Sequence, residues 1–122
     1  MKSHLLAART TAVVAAAVLV SVLAVPALAA RSHASATAVT VTATEFHFKL
    51  SRMSVPHGVV TFTIANKGAL AHDFKIGGKK TPLIGPGKSA KLSVTLKAGK
   101  FPYLCTVAGH AAAGMKGTLV VK

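Results

Sequence analysis

Three side chains able to bind a soft metal ion follow one another near the end of the chain. The segment that carries them reads CTVAGHAAAGM, from Cys105 through His110 to Met115, with four residues in each gap. Cys105 is the only cysteine, so it must be buried and inert, joined to another chain, or bound to a ligand. Thiolate and thioether sulfur favour Cu(I), and imidazole binds copper among other metals. The pattern therefore favours a site for one soft metal ion.

The rest of the sequence predicts strands that would position these donors. Apolar and polar residues alternate in short runs bounded by glycine and proline, which is typical of β-strands. No run after residue 30 has the apolar spacing of a helix ten or more residues long. The predicted strands cover residues 39–50 (one bent strand or two short ones), 59–66, 72–76, 89–96, 101–105 and 117–122. Such short strands indicate a single-domain, all-β sandwich of Greek-key type.

The ends of the predicted strands bring the donors towards one end of this sandwich. Cys105 ends one strand, Met115 precedes the last strand, and His110 lies midway along the nine-residue loop between them. His72 begins another predicted strand and could lie at the same end. Two imidazoles and a thiolate in a plane, with a weak axial thioether, form the donor set of a blue-copper electron-transfer site. A bound metal also deprotonates the thiol, which would explain why the cysteine is unpaired.

Two segments resemble the small cupredoxins, the plastocyanin–azurin group of type 1 copper proteins. They read AHDF at 71–74 and FPYLCTVAGHAAAGMKGTLVV at 101–121. The resemblance implies a cupredoxin-like copper domain over residues 39–122 that holds one type 1 copper ion. Ala108 and Gly109 depart from it, because some family members have a proline shortly before the second histidine.

The resemblance also implies roles for individual residues. The strong copper ligands would be His72, Cys105 and His110, and the axial ligand would be Met115. In the family, the residue after the first histidine hydrogen-bonds to the segment that holds the cysteine. We therefore expect the Asp73 carboxylate to accept a hydrogen bond from Thr106, and the Asp73 N–H to point at the Cys105 sulfur. The alternative is that Asp73 is a solvated strand residue.

The first 30 residues have the layout of a secretory signal peptide. Lys2 and Arg9 precede a long apolar run, and an A-x-A motif predicts cleavage near Ala29 or Ala30. Residues 31–38 are small and polar and predict a flexible tail. The protein would then be exported to the periplasm, the cell surface or the extracellular space. The alternative is an uncleaved leader that anchors the protein in the membrane.

The charge of the chain is strongly positive and bears on its partners. The sequence contains fifteen Lys and Arg residues and only two acidic residues, which gives a net charge of +13. Such a surface suits an acidic protein, an anionic membrane or nucleic acid. An exported chain with scattered basic residues and few aromatic ones is a poor nucleic-acid binder. We expect a monomer whose partner is a redox protein, with an acidic partner suiting the charge. Membrane association through the basic surface or an uncleaved leader is a further option.

The predicted function is the carriage of single electrons between redox proteins by Cu(I)/Cu(II) cycling. His110, midway along its loop, would be the ligand nearest solvent, inside an apolar docking patch. The patch residues would be Leu70, Ala111, Ala112 and Ala113. Multicopper oxidases place histidines directly beside the cysteine, whereas Cys105 lies between Leu104 and Thr106 and no His-x-His pair occurs. We therefore do not expect an enzyme. The alternatives are a copper storage or delivery protein and a metal-free interaction module.

Overall fold

The structure, a computed structural model, describes residues 11–19, 21 and 35–122. The chain divides into two units, Met1–Arg31 and Ser32–Lys122. The described residues of the first unit form no helix or strand. The rest of the predicted signal peptide, with its cleavage site near Ala29 or Ala30, lies outside the described residues. Within 11–19, 21 and 35–122, no helix has the length and apolar character needed to cross a bilayer.

Nine β-strands make up the regular structure of residues 35–122, where no helix is found. They are β1 (Thr37–Thr44), β2 (His47–Leu50), β3 (Ser54–Val55), β4 (Gly58–Asn66), β5 (Lys75–Ile76), β6 (Lys79–Lys80), β7 (Ser89–Leu96), β8 (Gly99–Leu104) and β9 (Lys116–Val121). The long strands are rich in Val and Thr, whose branched side chains favour extended backbone. For residues 39–50 the sequence allowed either one bent strand or two short ones. The structure has two strands there, joined by a turn at Glu45 and Phe46.

These strands form two mixed sheets. One sheet has the order β2-β1-β4-β7 and the other the order β3-β9-β8-β5-β6. β1 pairs in parallel with β4, and β3 with β9, while the remaining pairs are antiparallel. The chain crosses between the sheets after β2, β3, β4, β6 and β7. The predicted all-β sandwich is confirmed.

The core lies between the two sheets and follows the alternation seen in the sequence. In β4 the side chains of Val60, Phe62 and Ile64 are fully buried, while the residues between them are partly exposed. Aromatic side chains fill the space opposite. Phe74 lies with its ring centroid 5.2 Å from that of Phe62 and 5.6 Å from that of Tyr103. A contiguous apolar core of this kind gives the strand ends fixed positions.

Several strand boundaries differ from the prediction by a residue or two, the short strands β3 and β6 were not predicted, and two of the differences are explained by contacts. Strand β1 begins at Thr37, so Thr37 and Ala38, which we assigned to the flexible tail, belong to the sheet because they pair with β4. The strand predicted to begin at His72 begins only at Lys75. His72 makes an isolated bridge to Ile84 instead, and the N–H of Phe74 donates to the hydroxyl of Thr81 rather than to a neighbouring strand.

The Phe62→Ala substitution should lower the free energy of unfolding by about 3–5 kcal/mol, because it removes a fully buried ring from the core. The measurement is urea denaturation of the metal-free protein. Val59→Ala is the matched control, since Val59 lies in the same strand and is 45% exposed. That control should change the free energy by less than ~1 kcal/mol. Equal losses in the two variants would contradict the assigned core.

Candidate metal centre

Three metal-binding atoms meet at one end of the sandwich. The imidazole nitrogens of His72 and His110 and the sulfur of Cys105 all lie within 4.8 Å of one another. The Nδ1 atoms of the two histidines are 3.1 Å apart, and Cys105 Sγ lies 3.6 Å from His110 Nδ1. All three residues are buried. Residues separated by up to 38 positions are thus brought into one small cluster.

Backbone hydrogen bonds close the loop that carries His110. The N–H of Cys105 donates to the carbonyl of Met115 at 3.0 Å, and the N–H of Met115 donates to that of His110 at 3.1 Å. Gly109, with φ at 83°, adopts a left-handed conformation that favours glycine and turns the chain just before His110. The Met115 side chain is fully buried. The loop therefore returns His110 and Met115 to the strand end where Cys105 lies.

The thiol of Cys105 sits in an environment that a metal would change. Burial raises the pKa of this thiol, and backbone N–H groups of Asp73 and Val107 oppose that shift by hydrogen bonding to the sulfur. A bound metal cation deprotonates a coordinating thiol outright.

Asp73 ties the segment that holds His72 to the segment that holds Cys105. Its buried carboxylate accepts a hydrogen bond from the N–H of Thr106 at 2.6 Å and a second, short one from the Thr106 hydroxyl. Lys80 Nζ lies 3.9 Å from the same carboxylate. In the structure, Asp73 is therefore buried and fully engaged rather than a solvated strand residue.

Glu45 contacts His72 from outside the cluster, and sequence reasoning missed it. Its Oε1 lies 3.0 Å from His72 Nε2 and accepts the N–H groups of Ala69 at 2.9 Å and Leu70 at 2.8 Å. The hydrogen bond from the Leu70 N–H is the main reason that the pKa of Glu45 is lowered to about 2. Desolvation of the carboxylate acts in the opposite direction. A Cβ at Gly68 would overlap this carboxylate, so the absence of a side chain there makes room for it.

The contact with Glu45 determines which nitrogen of His72 can bind a metal. A carboxylate only accepts hydrogen bonds, so the Nε2 of His72 carries the proton and donates it to Glu45. The Nδ1 atom then keeps its lone pair and faces His110 and Cys105. One feature of the sequence could have indicated a special role for Glu45: it is one of two acidic residues in a chain with 15 Lys and Arg residues.

Asn66 makes the loop before His72 rigid. Its buried side-chain amide donates to the carbonyls of Leu70 at 2.7 Å and Ile84 at 2.8 Å, and its Oδ1 accepts the N–H of Gly68 at 2.9 Å. Three of its hydrogen-bonding sites are thus satisfied within the protein. The sequence identified this residue only as the end of a strand.

His110 is the most exposed of the four predicted ligands, at 8% compared with 0–1% for the other three. Leu70 is 46% exposed, Ala112 and Ala113 are exposed, and Ala111 is half-buried. Phe46, which the sequence analysis did not single out, is 38% exposed and presents its ring at 4.9 Å from that of His110.

The donor set fits a copper ion. One thiol and two imidazole nitrogens suit both copper and zinc. The buried thioether residue of the same loop favours copper, because methionine is a soft ligand that suits Cu(I) and is not a usual ligand of zinc. Among residues 11–19, 21 and 35–122, no other group of three His, Cys, Asp or Glu side chains could hold a metal ion.

Glu45→Ala should weaken copper binding about 10- to 100-fold, as is typical when the partner of a metal-bound imidazole is lost. The measurement is competition with a copper chelator of known affinity. Glu45→Gln keeps an oxygen that can accept from the loop and from His72, so its loss should be smaller. Equal affinities for the original chain and Glu45→Ala would contradict the positioning role.

Thr106→Val should lower the free energy of unfolding of the metal-free protein by about 1.5–3 kcal/mol, because the buried Asp73 carboxylate loses one of the two donors that Thr106 offers it. Thr118→Val is the matched control on an exposed position of β9, and it should stay within ~0.5 kcal/mol of the original chain. Urea denaturation gives both values. A Thr106→Val protein as stable as its control would show that the hydroxyl adds nothing to stability.

Comparisons with known proteins identify the family to which this chain belongs. A family model described as a cupredoxin-like domain matches residues 12–121. The reduced auracyanin of Roseiflexus castenholzii is 24% identical, with a TM-score of 0.65 over 73% of this chain and 99% of that chain. Auracyanin A, a blue copper protein of Chloroflexus aurantiacus, is 20% identical, with a TM-score of 0.63 over 72% of this chain and 100% of that chain.

A larger protein is also similar. The copper-containing nitrite reductase of Thermus scotoductus SA-01 is 22% identical, with a TM-score of 0.58 over 72% of this chain but only 28% of the reductase. No curated protein matches in sequence. At these identities the structural likeness shows the fold alone, but the family match spans most of the chain and confirms the resemblance found in two segments. This chain belongs to the family of cupredoxin-like domains.

Proposed function

We propose that the protein carries single electrons by means of one type 1 copper ion. The observation that carries the proposal is that one imidazole nitrogen of His72, one of His110 and the Cys105 sulfur all lie within 4.8 Å of one another. These three residues would be the strong ligands, and Met115 the axial one. Bound copper would supply the redox chemistry, accepting one electron from a reduced protein and giving it to an oxidised one.

The surrounding residues suit an electron carrier because they hold the ligands in one arrangement. Glu45 fixes the ring of His72, Asp73 joins the two ligand segments, and the loop hydrogen bonds hold His110. Sulfur and imidazole donors fit different oxidation states of copper, so a rigid cluster between their preferences limits rearrangement. Small rearrangement favours fast electron exchange.

We infer a carrier rather than an enzyme. The described residues offer one group of potential metal ligands, His72, Cys105 and His110. The two acidic residues of the sequence, Glu45 and Asp73, are each hydrogen-bonded at separate places and form no carboxylate pair for acid–base chemistry. The likeness to a nitrite reductase covers only 28% of that enzyme, so it concerns one domain. Export, through the predicted signal peptide, and a monomeric state belong to the same proposal.

The docking site for a redox protein would be the apolar end around His110. The predicted patch of Leu70, Ala111, Ala112 and Ala113 gains Phe46, whose ring contacts that of His110. Small alanine side chains would allow a partner to approach the histidine closely. Lysines elsewhere on a chain of net charge +13 would attract a partner with an acidic surface.

Absorption and paramagnetic-resonance spectra of the copper-loaded protein test the type of site. Cu(II) bound by a thiolate should give an intense visible charge-transfer band, and Cys105→Ser should abolish it. The control is Met53→Leu, outside the cluster, which should keep the band. A pale Cu(II) complex in the original chain would contradict the proposal and support copper storage or delivery.

Ala112→Glu should slow electron self-exchange between Cu(I) and Cu(II) forms about tenfold, because a charged side chain in the docking patch must be desolvated on contact. NMR line broadening measures the rate. Ser93→Glu is the control, since it adds the same charge at an exposed position of β7. The visible spectrum should be unchanged in both. Equal rates in the two variants would contradict the patch.

A further inference from the structure

A row of lysines crosses the outer face of the five-stranded sheet, centred on Leu104. The strand register places Lys75 opposite both Lys80 and Leu104, and Leu104 opposite Lys116. Side chains of directly opposed residues lie on the same face of a sheet. The order across the strands is therefore Lys80, Lys75, Leu104, Lys116, which we name the lysine row. All three lysines are exposed and Leu104 is half-buried.

The positive charge of the lysine row is almost uncompensated. The whole sequence contains only two acidic residues, Glu45 and Asp73. Glu45 is bound to His72 and the loop before it, and Asp73 is buried against Thr106. Among the ion pairs of the described residues, only the 3.9 Å contact of Lys80 with Asp73 involves the row. Since opposed like charges destabilise a sheet, the row contributes no evident stability to the fold.

A groove of about 270 Å³ lies beside the lysine row. Lys75, Leu104, Phe101 and Pro102 line it together with the Gly77–Gly78 turn. Both glycines have positive φ, at 58° and 77°, and a Cβ at Gly78 would meet nothing within 4 Å. The turn is therefore open at Gly78, whereas at Gly77 it packs against the side chain of Leu96. The face thus combines an apolar depression with lysines at its edge.

The position of the face connects it with the metal centre. Leu104 is covalently joined to Cys105, whose sulfur belongs to the ligand cluster. The face is built on β6, β5, β8 and β9, whereas the apolar patch around His110 lies on loops. A partner bound at the lysine row would therefore come within one residue of the thiolate without covering His110.

We propose that the lysine row and its groove form a docking surface for an acidic redox protein. The inference rests on the proposed function, because that function makes the partner a redox protein. Charge complementarity selects an acidic surface, and the groove has room for an apolar side chain of the partner. A bilayer fits less well, since membrane binding needs apolar side chains that project outward, and those of this face line a depression.

Binding of poly-L-glutamate to the full chain in the copper-loaded Cu(I) form tests the surface. NMR chemical shifts should move first at Lys75, Leu104 and Lys116. The double variant Lys75→Gln/Lys116→Gln should bind about tenfold more weakly and with a smaller salt dependence. The matched control is Lys91→Gln/Lys97→Gln, which removes the same charge from exposed positions on or next to β7 and should lose less than about twofold.

Each outcome supports or overturns the docking surface. Equal weakening in the two double variants would show that only net charge matters and would overturn it. A further outcome is that the lysine row binds phosphatidylglycerol vesicles or duplex DNA more tightly than poly-L-glutamate, and that Lys75→Gln/Lys116→Gln weakens that binding. This result would overturn the acidic protein as the ligand of the surface. The oxidised spectrum of the same sample separates the two proposals. A colourless sample refutes the electron carrier, whereas a blue sample with equal binding in the two variants refutes only the docking surface.

Discussion

Two imidazole nitrogens and a thiol sulfur are buried in contact, and the structure must hold them there. Buried polar groups are costly unless each one has a partner. The outer nitrogen of His72 has Glu45, and the segments that hold His72 and Cys105 are joined by the hydrogen bond between Asp73 and Thr106. With these groups satisfied from outside, the inner lone pairs are left facing one another. A metal ion would take these lone pairs as its ligands.

Negative charge lies beside the metal centre, at Glu45 and Asp73, and positive charge lies on the exposed surface. Both acidic residues lie against the ligand segments, and the Lys and Arg residues of 35–122 are all exposed. Negative charge near the cluster offsets the positive charge of a metal, while the lysines act at a distance on approaching proteins. A basic exterior around a weakly polar end suits a carrier that must meet its partners quickly and release them again.

Much of this arrangement could be predicted from the sequence because it follows local patterns. Alternation of apolar and polar residues located the long strands, and the spacing of Cys105, His110 and Met115 identified the loop between two of them. The role of Glu45 could not be predicted in this way. It depends on the parallel pairing of β1 with β4, which sets Ala43 opposite Asn66 and so brings the end of β1 to the loop before His72. Sequence alternation specifies faces of strands but not register between distant strands.

The predicted start of a strand at His72 was wrong for a related reason. The backbone of His72 pairs only with that of Ile84. The N–H of Phe74 donates to the Thr81 hydroxyl, and the Asp73 carboxylate accepts from Thr106. Such side-chain contacts compete with ladder formation and are specific to the tertiary structure. The departure from regular strand geometry occurs at the residues that adjoin the metal centre, where functional requirements most often override local preference.

The most direct test of the central claim is X-ray absorption at the copper edge, recorded on the loaded protein in both oxidation states. We expect two nitrogen donors and one short bond to sulfur in each state, with little change between them, because the cluster is held from outside by Glu45, Asp73 and the loop. A copper ion without a short sulfur bond, or one that gains or loses ligands on reduction, would contradict a rigid electron-transfer centre.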